Sequence, residues 1–311
     1  MPNALVTGGS GFIGSNLVDA LLKEGYRLRV LDNLSNSSVE NLKGVRSQID
    51  FIDGDIRDLA TVEQAASGVE LVFHLAAVGS VPRSIADPET TTAVNLNGTV
   101  NVLRAAVKVK ARRVIFSSSS SIYGDTPTLP KSEEMPLAPI SPYGASKAAA
   151  EVFLHAFAAA YKLETINLRY FNVFGPRQSP KSEYAAAIPR FLAQLEAGKA
   201  ITIFGDGEQS RDFTYVENVV QANLLAAKNG PGHGEAINIA ASAPVTVNDL
   251  AKRIATAMGV PLKVEHLAPR AGDIRHSHGS IQRARDLLHF TPTVGLDEGL
   301  RRTVAWFRTQ S

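Results

Sequence analysis

The chain has 311 residues, of which 44% are hydrophobic and 20% are charged, as expected for a folded globular protein with a large core. Lys and Arg number 32 against 30 Asp and Glu, and this near balance, without a basic arm or cluster, argues against nucleic acid or an anionic membrane as a partner. The sequence has no cysteine, which excludes disulfides and thiolate catalysis and suits a cytoplasmic protein.

The start of the chain and its apolar runs bear on targeting. Met1-Pro2-Asn3 leads directly into an apolar stretch, with no charged segment followed by a long apolar run and a cleavage site. No apolar run approaches the roughly 18–20 residues that span a bilayer. We therefore expect neither a signal peptide nor a membrane partner.

Short apolar, β-branched runs alternate with helical patterns through the first half of the chain. We predict strands over 4–7, 26–32, 49–55, 70–77, 111–118 and 164–171, and helices over 15–25, 59–68, 90–109 and 146–161. Alternation at this spacing predicts an α/β fold, a Rossmann-like doubly wound parallel sheet with helices on both faces.

The pattern changes after about residue 172, where Pro and Gly become frequent. A strand over 235–240 is expected to return to the main sheet, and helices are expected over 245–259 and 296–310. We predict a first domain over 1–171, with returning segments near 212–241, and a smaller mixed α/β C-terminal lobe over 172–311.

The stretch TGGSGFIG (7–14) places Gly8, Gly11 and Gly14 between a predicted strand and a predicted helix. Glycines there permit a tight turn and let backbone N–H groups approach a pyrophosphate at the helix N-terminus. The second strand ends in Asp32, whose carboxylate suits a ribose diol and repels a 2′-phosphate. The first domain is therefore expected to bind NAD rather than NADP.

A second constellation combines a tyrosine, a lysine and a row of serines. Tyr143 and Lys147 in SPYGASK (141–147) are four residues apart, so a helix would place both on one face. A nearby ammonium is expected to lower the pKa of the phenol toward that of a usable base. The serines of SSSSSIYGD (117–125) follow a predicted strand at the carboxyl edge of the sheet, where ligands bind in such folds.

These motifs resemble the extended short-chain dehydrogenase/reductase family, and within it the UDP-sugar 4-epimerases. The resemblance also rests on Asp32-Asn33-Leu34, HLAA (74–77), NLNGT (95–99) and RYFNVFGPR (169–177), and it runs nearly end to end. It implies an NAD-dependent isomerase that oxidises a UDP-hexose transiently at C4, lets the 4-keto sugar rotate and reduces it again. A homodimer formed by the helices near 90–109 and 146–161 is also implied.

The resemblance implies a role for each matching position. Catalytic roles fall on Ser119, Tyr143 and Lys147. Cofactor-binding residues are Gly8, Gly11, Phe12, Ile13, Asp32, Asn33, Asn36, Asp55, Ile56, Leu75, Ala76, Ala77, Asn95, Tyr143, Lys147 and Tyr170. Substrate-binding residues are Ser119, Ser120, Tyr143, Asn172, Ala187, Arg211, Arg270, Asp273 and Ser277. No metal is expected, because the seven histidines show no ligand spacing such as HExxH.

Several alternatives remain open at this level. Related dehydratases and decarboxylases carry carboxylates beside the catalytic hydroxyl, whereas this chain has Ser120 and Ser121, which favours simple oxidation and re-reduction. Ser277 stands where epimerases restricted to UDP-glucose and UDP-galactose have tyrosine, which leaves space for UDP-GlcNAc and UDP-GalNAc. Arg83 and Ser84 keep UDP-glucuronate open through its carboxylate. A net nucleotide-sugar oxidoreductase and a non-enzymatic dinucleotide sensor are the remaining possibilities.

Overall fold

The computed structural model of the chain describes residues 2–179, 186–269 and 274–310. Its strands are β1 (Asn3–Thr7), β2 (Arg27–Asp32), β3 (Ile49–Asp53), β4 (Leu71–His74), β5 (Arg113–Ser119), β6 (Glu164–Tyr170), β7 (Val173–Phe174), β8 (Ile201–Phe204), β9 (Ser210–Arg211), β10 (Thr214–Tyr215), β11 (His233–Ile239), β12 (Val245–Thr246), β13 (Val264–Leu267) and β14 (His276–Ser277). Its α-helices are α1 (Phe12–Lys23), α2 (Leu59–Ala66), α3 (Val81–Ala86), α4 (Pro88–Thr92), α5 (Thr99–Lys108), α6 (Pro142–Tyr161), α7 (Ala187–Glu196), α8 (Val216–Lys228), α9 (Val247–Met258), α10 (Gln282–Leu288) and α11 (Leu296–Arg308).

A seven-stranded parallel sheet forms the larger part of the molecule, in the order β11-β6-β5-β4-β1-β2-β3. Separate clusters of buried apolar side chains cover its two faces, and strands β4 and β5 are buried along their whole length. A strand that is buried on both faces reads as a continuous apolar run, which is why these segments were recognisable in the sequence. The predicted doubly wound α/β fold is confirmed. The return of 235–240 to the main sheet as part of β11 is also confirmed.

Strands β1 and β4 are neighbours although two strands separate them in the chain, so the strand order reverses between them. Ligands of open α/β sheets bind in the crevice outside the carboxyl ends of the strands at such a switch point. The glycine loop follows β1 and the HLAA segment begins in β4. Both predicted motifs therefore lie at the crevice between β1 and β4, at the carboxyl ends of the strands.

The C-terminal part of the chain builds a third apolar core from α7, α9, α11 and short strands. Its strand β9 pairs with β12 on one side and with β14 on the other, and the β14 pairing puts Ser277 opposite Arg211. This pairing joins two segments that are far apart in the sequence. It therefore brings two of the predicted substrate-binding residues together.

Some predicted boundaries differ from the structure. The helix expected over 90–109 is α4, a π-helical stretch (Ala93–Gly98) and α5 in immediate succession. Helix α6 begins at Pro142 rather than 146, because the Ser141 hydroxyl caps it by accepting from the Gly144 N–H at 3.1 Å.

Helix α8 was not predicted from the sequence. Two fully buried asparagines interrupt the apolar periodicity of this helix. Asn218 donates to the Val294 carbonyl at 2.8 Å, and Asn223 donates to the Tyr170 hydroxyl at 2.8 Å. Both amide nitrogens thus donate to long-range partners that the local sequence does not show. In the part of the chain that the structure describes, no helix has the length and apolar content needed to cross a membrane.

Candidate active site

The glycine loop makes a close backbone turn at the carboxyl end of β1. Gly8 has φ +72°, and a Cβ there would lie 2.6 Å from the Ala76 nitrogen. A Cβ on Gly14 would lie 2.1 Å from the Gly8 carbonyl oxygen, so helix α1 packs against the loop at a distance that only glycine permits. This arrangement directs the N-terminus of α1 toward the crevice, where its dipole favours a phosphate.

Asp32 ends β2 beside the loop and is 7% exposed. Its carboxylate accepts from the Ser10 N–H, the Leu34 N–H and the Ser37 hydroxyl, each at 2.9 Å. These three donors fix the carboxylate at the rim of the crevice. The negative charge stays in the position that the sequence assigns to a ribose diol.

One cleft of about 380 Å³ runs along this edge of the sheet. The predicted cofactor residues that line it are Gly8, Gly11, Phe12, Ile13, Asp32, Asn33, Asn36, Asp55, Ile56, Leu75, Ala76 and Ala77. A glycine-lined cradle, a helix N-terminus and a carboxylate at the end of the second strand together fit a dinucleotide such as NAD. Arg57 and Arg83 also line the cleft, although neither is among the predicted cofactor-binding residues.

Two predicted cofactor residues are placed behind the cleft. The Asn95 amide accepts from the Val78 N–H at 2.7 Å and donates to the Ser146 hydroxyl at 3.0 Å, so it fixes a segment of the cleft wall to α6. The Tyr170 hydroxyl accepts from Asn223, and burial raises its pKa to about 12. Both side chains have protein partners, so a contact with the cofactor remains a prediction for them.

Asp55 is one of the predicted cofactor-binding residues that line the cleft. Its carboxylate is paired with the Arg57 guanidinium at 2.7 Å and also accepts from Asn33 at 2.9 Å. The Arg57 hydrogen bond is the main reason that the pKa of Asp55 falls to about 2. The group is therefore an anion at any physiological pH, in the cleft but with its own counterion.

The His74 imidazole lies beneath the glycine loop and is 1% exposed. Its Nδ1 is 2.7 Å from the Thr7 hydroxyl, and its Nε2 is 2.9 Å from the Thr99 hydroxyl. Because Thr99 donates its own proton to the Asn95 carbonyl, Thr99 must accept from Nε2–H, and Thr7 then donates to Nδ1. Thr99 can accept from Nε2–H in either protonation state, but Thr7 can donate to Nδ1 only when the ring is neutral.

This arrangement predicts a loss of stability in mild acid. Burial lowers the pKa of His74 from 6.5 to about 3, so below pH 6.5 the unfolded chain binds a proton that the folded chain refuses. We expect the free energy of unfolding to fall by up to about 1.4 kcal/mol per pH unit from this residue as the pH drops below 6.5. Urea titrations at pH 7 and pH 5 should show a smaller drop for His74→Gln than for the wild type or for exposed His266→Gln. An equal drop in all three proteins would contradict the assignment.

Tyr143 and Ser119 meet at the end of β5. Tyr143 lies in the first turn of α6, where its backbone N–H donates to the Ser84 hydroxyl at 3.0 Å. Its phenol shares a hydrogen bond with Ser119, which lowers the pKa of the phenol, whereas burial raises it more strongly. The expected lowering of this pKa by Lys147 is not found in the protein by itself, where burial prevails.

Lys147 is one turn further along α6 and is 3% exposed. Its ammonium donates to the Ser117 carbonyl at 2.7 Å and lies 4.6 Å from the centre of the Phe116 ring. Burial lowers its pKa to about 7, and the Glu151 carboxylate one turn on opposes that change. The side chain is thus fixed at the end of β5, and its protonation depends on the balance between burial and nearby negative charge.

Two further cavities extend from this point into the C-terminal lobe. The first is lined by Ala187, Arg190 and Phe204, and the second by Ser120, Ser121, Lys131, His276 and Ser277. Pro82, Asn172 and Arg211 line both. The structure therefore brings together the predicted substrate residues Ser120, Asn172, Ala187, Arg211 and Ser277. Ser121 and Lys131 are additional.

Some predicted contacts lie elsewhere. The Arg83 side chain lines the dinucleotide cleft, and the Ser84 hydroxyl is fully buried and donates to the Val81 carbonyl at 2.7 Å, so a contact of either with a sugar carboxylate remains a prediction. Arg270 and Asp273 lie outside the described residues. Among the residues that are described, no three His, Asp or Glu side chains are placed to hold a metal ion.

Comparison with known proteins agrees with this site. Residues 4–240 match the NAD dependent epimerase/dehydratase family. The chain is 41% identical to a UDP-glucose 4-epimerase of Mycolicibacterium smegmatis over 99% of each chain. It superposes with a TM-score of 0.95 and 40% identity on a UDP-N-acetylglucosamine 4-epimerase from Methanobrevibacter ruminantium in complex with UDP-N-acetylmuramic acid, covering 100% of this chain and 99% of that one. It also superposes with a TM-score of 0.91 and 36% identity on a UDP-glucose 4-epimerase from Thermus thermophilus in complex with NAD, covering 99% of this chain and 100% of that one. The chain therefore belongs to the NAD dependent epimerase/dehydratase family, as an NAD-using isomerase of the UDP-sugar 4-epimerase group.

Proposed function

We propose that this protein interconverts the C4 epimers of a UDP-hexose, either UDP-GlcNAc and UDP-GalNAc or UDP-glucose and UDP-galactose, by transient oxidation at C4. The observation that carries the proposal is that Tyr143 and Lys147, one turn apart on α6, both meet the serines at the end of β5: Ser119 acts on the Tyr143 phenol, and Lys147 donates to the Ser117 carbonyl at 2.7 Å. Ser119 ends the strand next to the dinucleotide cleft, and Ser120 and Ser121 line the cavity on its other side. A reacting sugar carbon would thus lie between cofactor and base.

The chain supplies each protein group that the chemistry needs. NAD, when bound, supplies the hydride acceptor and donor. The Tyr143 phenolate takes the proton of the O4 hydroxyl and later returns it, while the Ser119 hydroxyl holds O4. The Lys147 ammonium favours the phenolate electrostatically, because it is buried in the same low-dielectric region. Burial raises the pKa of Tyr143 in the protein by itself. In the assembled site, the Lys147 ammonium and the hydrogen bond with Ser119 have to lower this pKa again.

The neighbourhood of Ser119 supports epimerisation over elimination. Ser119 accepts from the Ser121 N–H at 3.2 Å and donates to the Ser121 hydroxyl at 3.1 Å. Ser120 and Ser121 offer hydroxyls only, so this turn has no carboxyl group to remove a proton from C5 or to protonate a leaving hydroxyl. A 4-keto sugar formed here would be reduced again without losing water.

The size of the second cavity supports tolerance at C2 of the sugar. The cavity has a volume of about 430 Å³, and Ser277 contributes a small side chain to its wall. A pocket of this order can hold a hexose with an N-acetyl group. The diphosphate is then expected beside Asn172 and Arg211, which line both cavities, and the uridine beside Ala187.

The proposal is tested by incubating the purified protein with UDP-glucose and with UDP-GlcNAc and following the C4 proton by NMR. We expect the C4 epimer to appear in at least one tube, without net formation of NADH. Stoichiometric NADH with a 4-keto or uronate product would instead support a net oxidoreductase. If no substrate changes even after NAD is added, the alternative of a non-enzymatic dinucleotide sensor would be favoured.

A homodimer is part of the same proposal, because α6 carries apolar side chains on its outer face. Val152, Phe153 and Tyr161 are 62%, 40% and 58% exposed. Large apolar side chains that are exposed next to one another, such as Val152 and Phe153, are typical of a surface that a partner covers.

Val152→Glu and Phe153→Glu together should therefore convert the protein from about twice 33.2 kDa to 33.2 kDa in light scattering. Glutamates placed at exposed Lys43 and Lys252, outside both helices of the expected dimer interface, serve as the control and should leave the mass unchanged. A wild-type mass of one chain at micromolar concentration would contradict the dimer.

A further inference from the structure

The sugar-side cavity contains a buried cation that the proposed chemistry does not use. Lys131 lines the cavity together with Ser120, Ser121 and Ser277, yet the residue is 2% exposed. Its ammonium donates to the carbonyl and the hydroxyl of Thr126, which are both neutral acceptors. An ammonium has three N–H donors, so these two contacts leave one donor for another partner.

The backbone around Lys131 fixes the residue at the cavity wall. Its N–H donates to the His278 carbonyl at 2.7 Å, and its carbonyl accepts from the Ser280 N–H at 2.9 Å and from Asn238 at 3.0 Å. The segment 278–280 directly follows Ser277, which lines the same cavity. The lysine is therefore held by the C-terminal segment that also forms the sugar pocket, and not by a surface loop alone.

Among the described residues, no carboxylate forms an ion pair or a hydrogen bond with the Lys131 ammonium. Among its described lining residues the cavity has Lys131, Arg211 and His276 but no Asp or Glu. Burial lowers the pKa of Lys131, and the charge of nearby Asp125, which forms no hydrogen bond with it, opposes this change only in part. A buried cation without a paired anion is costly and is normally compensated by a ligand or a counterion.

We propose that Lys131 forms a subsite for a carboxylate on the sugar of the nucleotide-sugar substrate. This inference rests on the proposed function, since it assumes that the sugar occupies this cavity. A carboxylate at C6, or one carried on a substituent of the ring, would accept the remaining N–H of Lys131. It replaces the assignment of this role to Arg83 and Ser84, whose side chains face elsewhere.

Matched pairs of ligands isolate the carboxylate. UDP-glucuronate and UDP-glucose differ at C6, and UDP-N-acetylmuramate and UDP-GlcNAc differ by a lactyl group on C3. Calorimetric titration of the NAD-loaded protein gives a Kd for each without depending on turnover. In at least one pair, we expect Lys131→Met to raise the Kd of the carboxylate-bearing ligand by about 10- to 100-fold and the Kd of its neutral partner by less than about 3-fold. The pair that responds identifies the position of the carboxylate.

Control variants separate the subsite from a structural role. Lys131→Arg keeps the charge and should retain most of the preference, and exposed Lys199→Met should change nothing. A merely structural role for Lys131 would weaken both members of each pair equally, and that result would overturn the proposal. Selective loss of carboxylate binding in a protein that produces no C4 epimer would uphold the subsite and contradict the epimerase function, so the two failures are distinguishable.

Discussion

Tyr143→Phe is expected to lower kcat for C4 epimerisation by at least about 100-fold and by as much as about 10,000-fold, the range that a positioned general base contributes. The substitution removes only the hydroxyl that shares a hydrogen bond with Ser119. The ring keeps its place in the first turn of α6, where the backbone N–H of residue 143 is bound by Ser84. Folding and NAD content should therefore stay near the wild-type values, as measured by thermal unfolding and by the nucleotide released on denaturation.

The control for this variant is Tyr161→Phe at the opposite end of the same helix, where the side chain is exposed. It should retain wild-type kcat. Residual epimerisation by Tyr143→Phe within about 10-fold of the wild type would contradict the assigned role, because a loss that small is below what a general base contributes. Loss of NAD together with activity would show instead that the hydroxyl binds the cofactor.

Arg169→Met is expected to cause the largest loss of stability among the substitutions considered. Arg169 and Glu151 form an ion pair at 2.7 Å behind the catalytic groups, with side chains only 5% and 6% exposed. Ser118 donates to the same carboxylate, and Arg169 also donates to the Tyr123 hydroxyl at 2.8 Å. Removal of the guanidinium leaves a buried, uncompensated carboxylate, which costs about 3–5 kcal/mol. For a chain of 311 residues such a loss corresponds to a fall in Tm of roughly 5–8 °C.

The double variant Arg169→Met with Glu151→Leu distinguishes the loss of the ion pair from the cost of leaving the Glu151 carboxylate buried and unpaired. Replacing both partners by apolar side chains should recover much of the loss, because no charge is then left buried. Lys228→Met at the exposed Lys228–Glu24 pair is the control and should hardly change the unfolding midpoint. A Tm for Arg169→Met within about 2 °C of the wild type would contradict the electrostatic account of this network.

The parallel sheet and the cofactor cleft could be predicted because their signals are local. Apolar runs that are buried on both faces marked the strands, and Gly8, Gly14 and Asp32 lie where the βαβ pattern places them. Glycine spacing constrains the backbone directly. The chemistry of this half of the site therefore follows from residues that are near one another in the chain.

The missed features depend on long-range contacts. Lys131 stands in the polar stretch LPKSEE, which resembles a solvated loop, and its long-range bonds to 278–280 and to Asn238 hold it at the sugar cavity. Helix α8 escaped prediction because Asn218 and Asn223 find partners in other elements. Arg83, associated with the sugar on sequence grounds, lines the dinucleotide cleft. Side-chain direction at these positions is set by tertiary structure, which the sequence pattern does not encode.

The central claim, oxidation and re-reduction at one carbon, is tested most directly with a UDP-hexose carrying deuterium at C4. If the hydride leaves C4 and returns to it within one site, the epimer formed in ordinary water keeps its deuterium at C4, and mass spectrometry finds the label undiminished. Epimerisation through loss of the C4 hydrogen to solvent would instead yield product that carries protium at that carbon. Retention is the result that we predict, and wash-out of the label would contradict the mechanism built on Ser119, Tyr143 and Lys147.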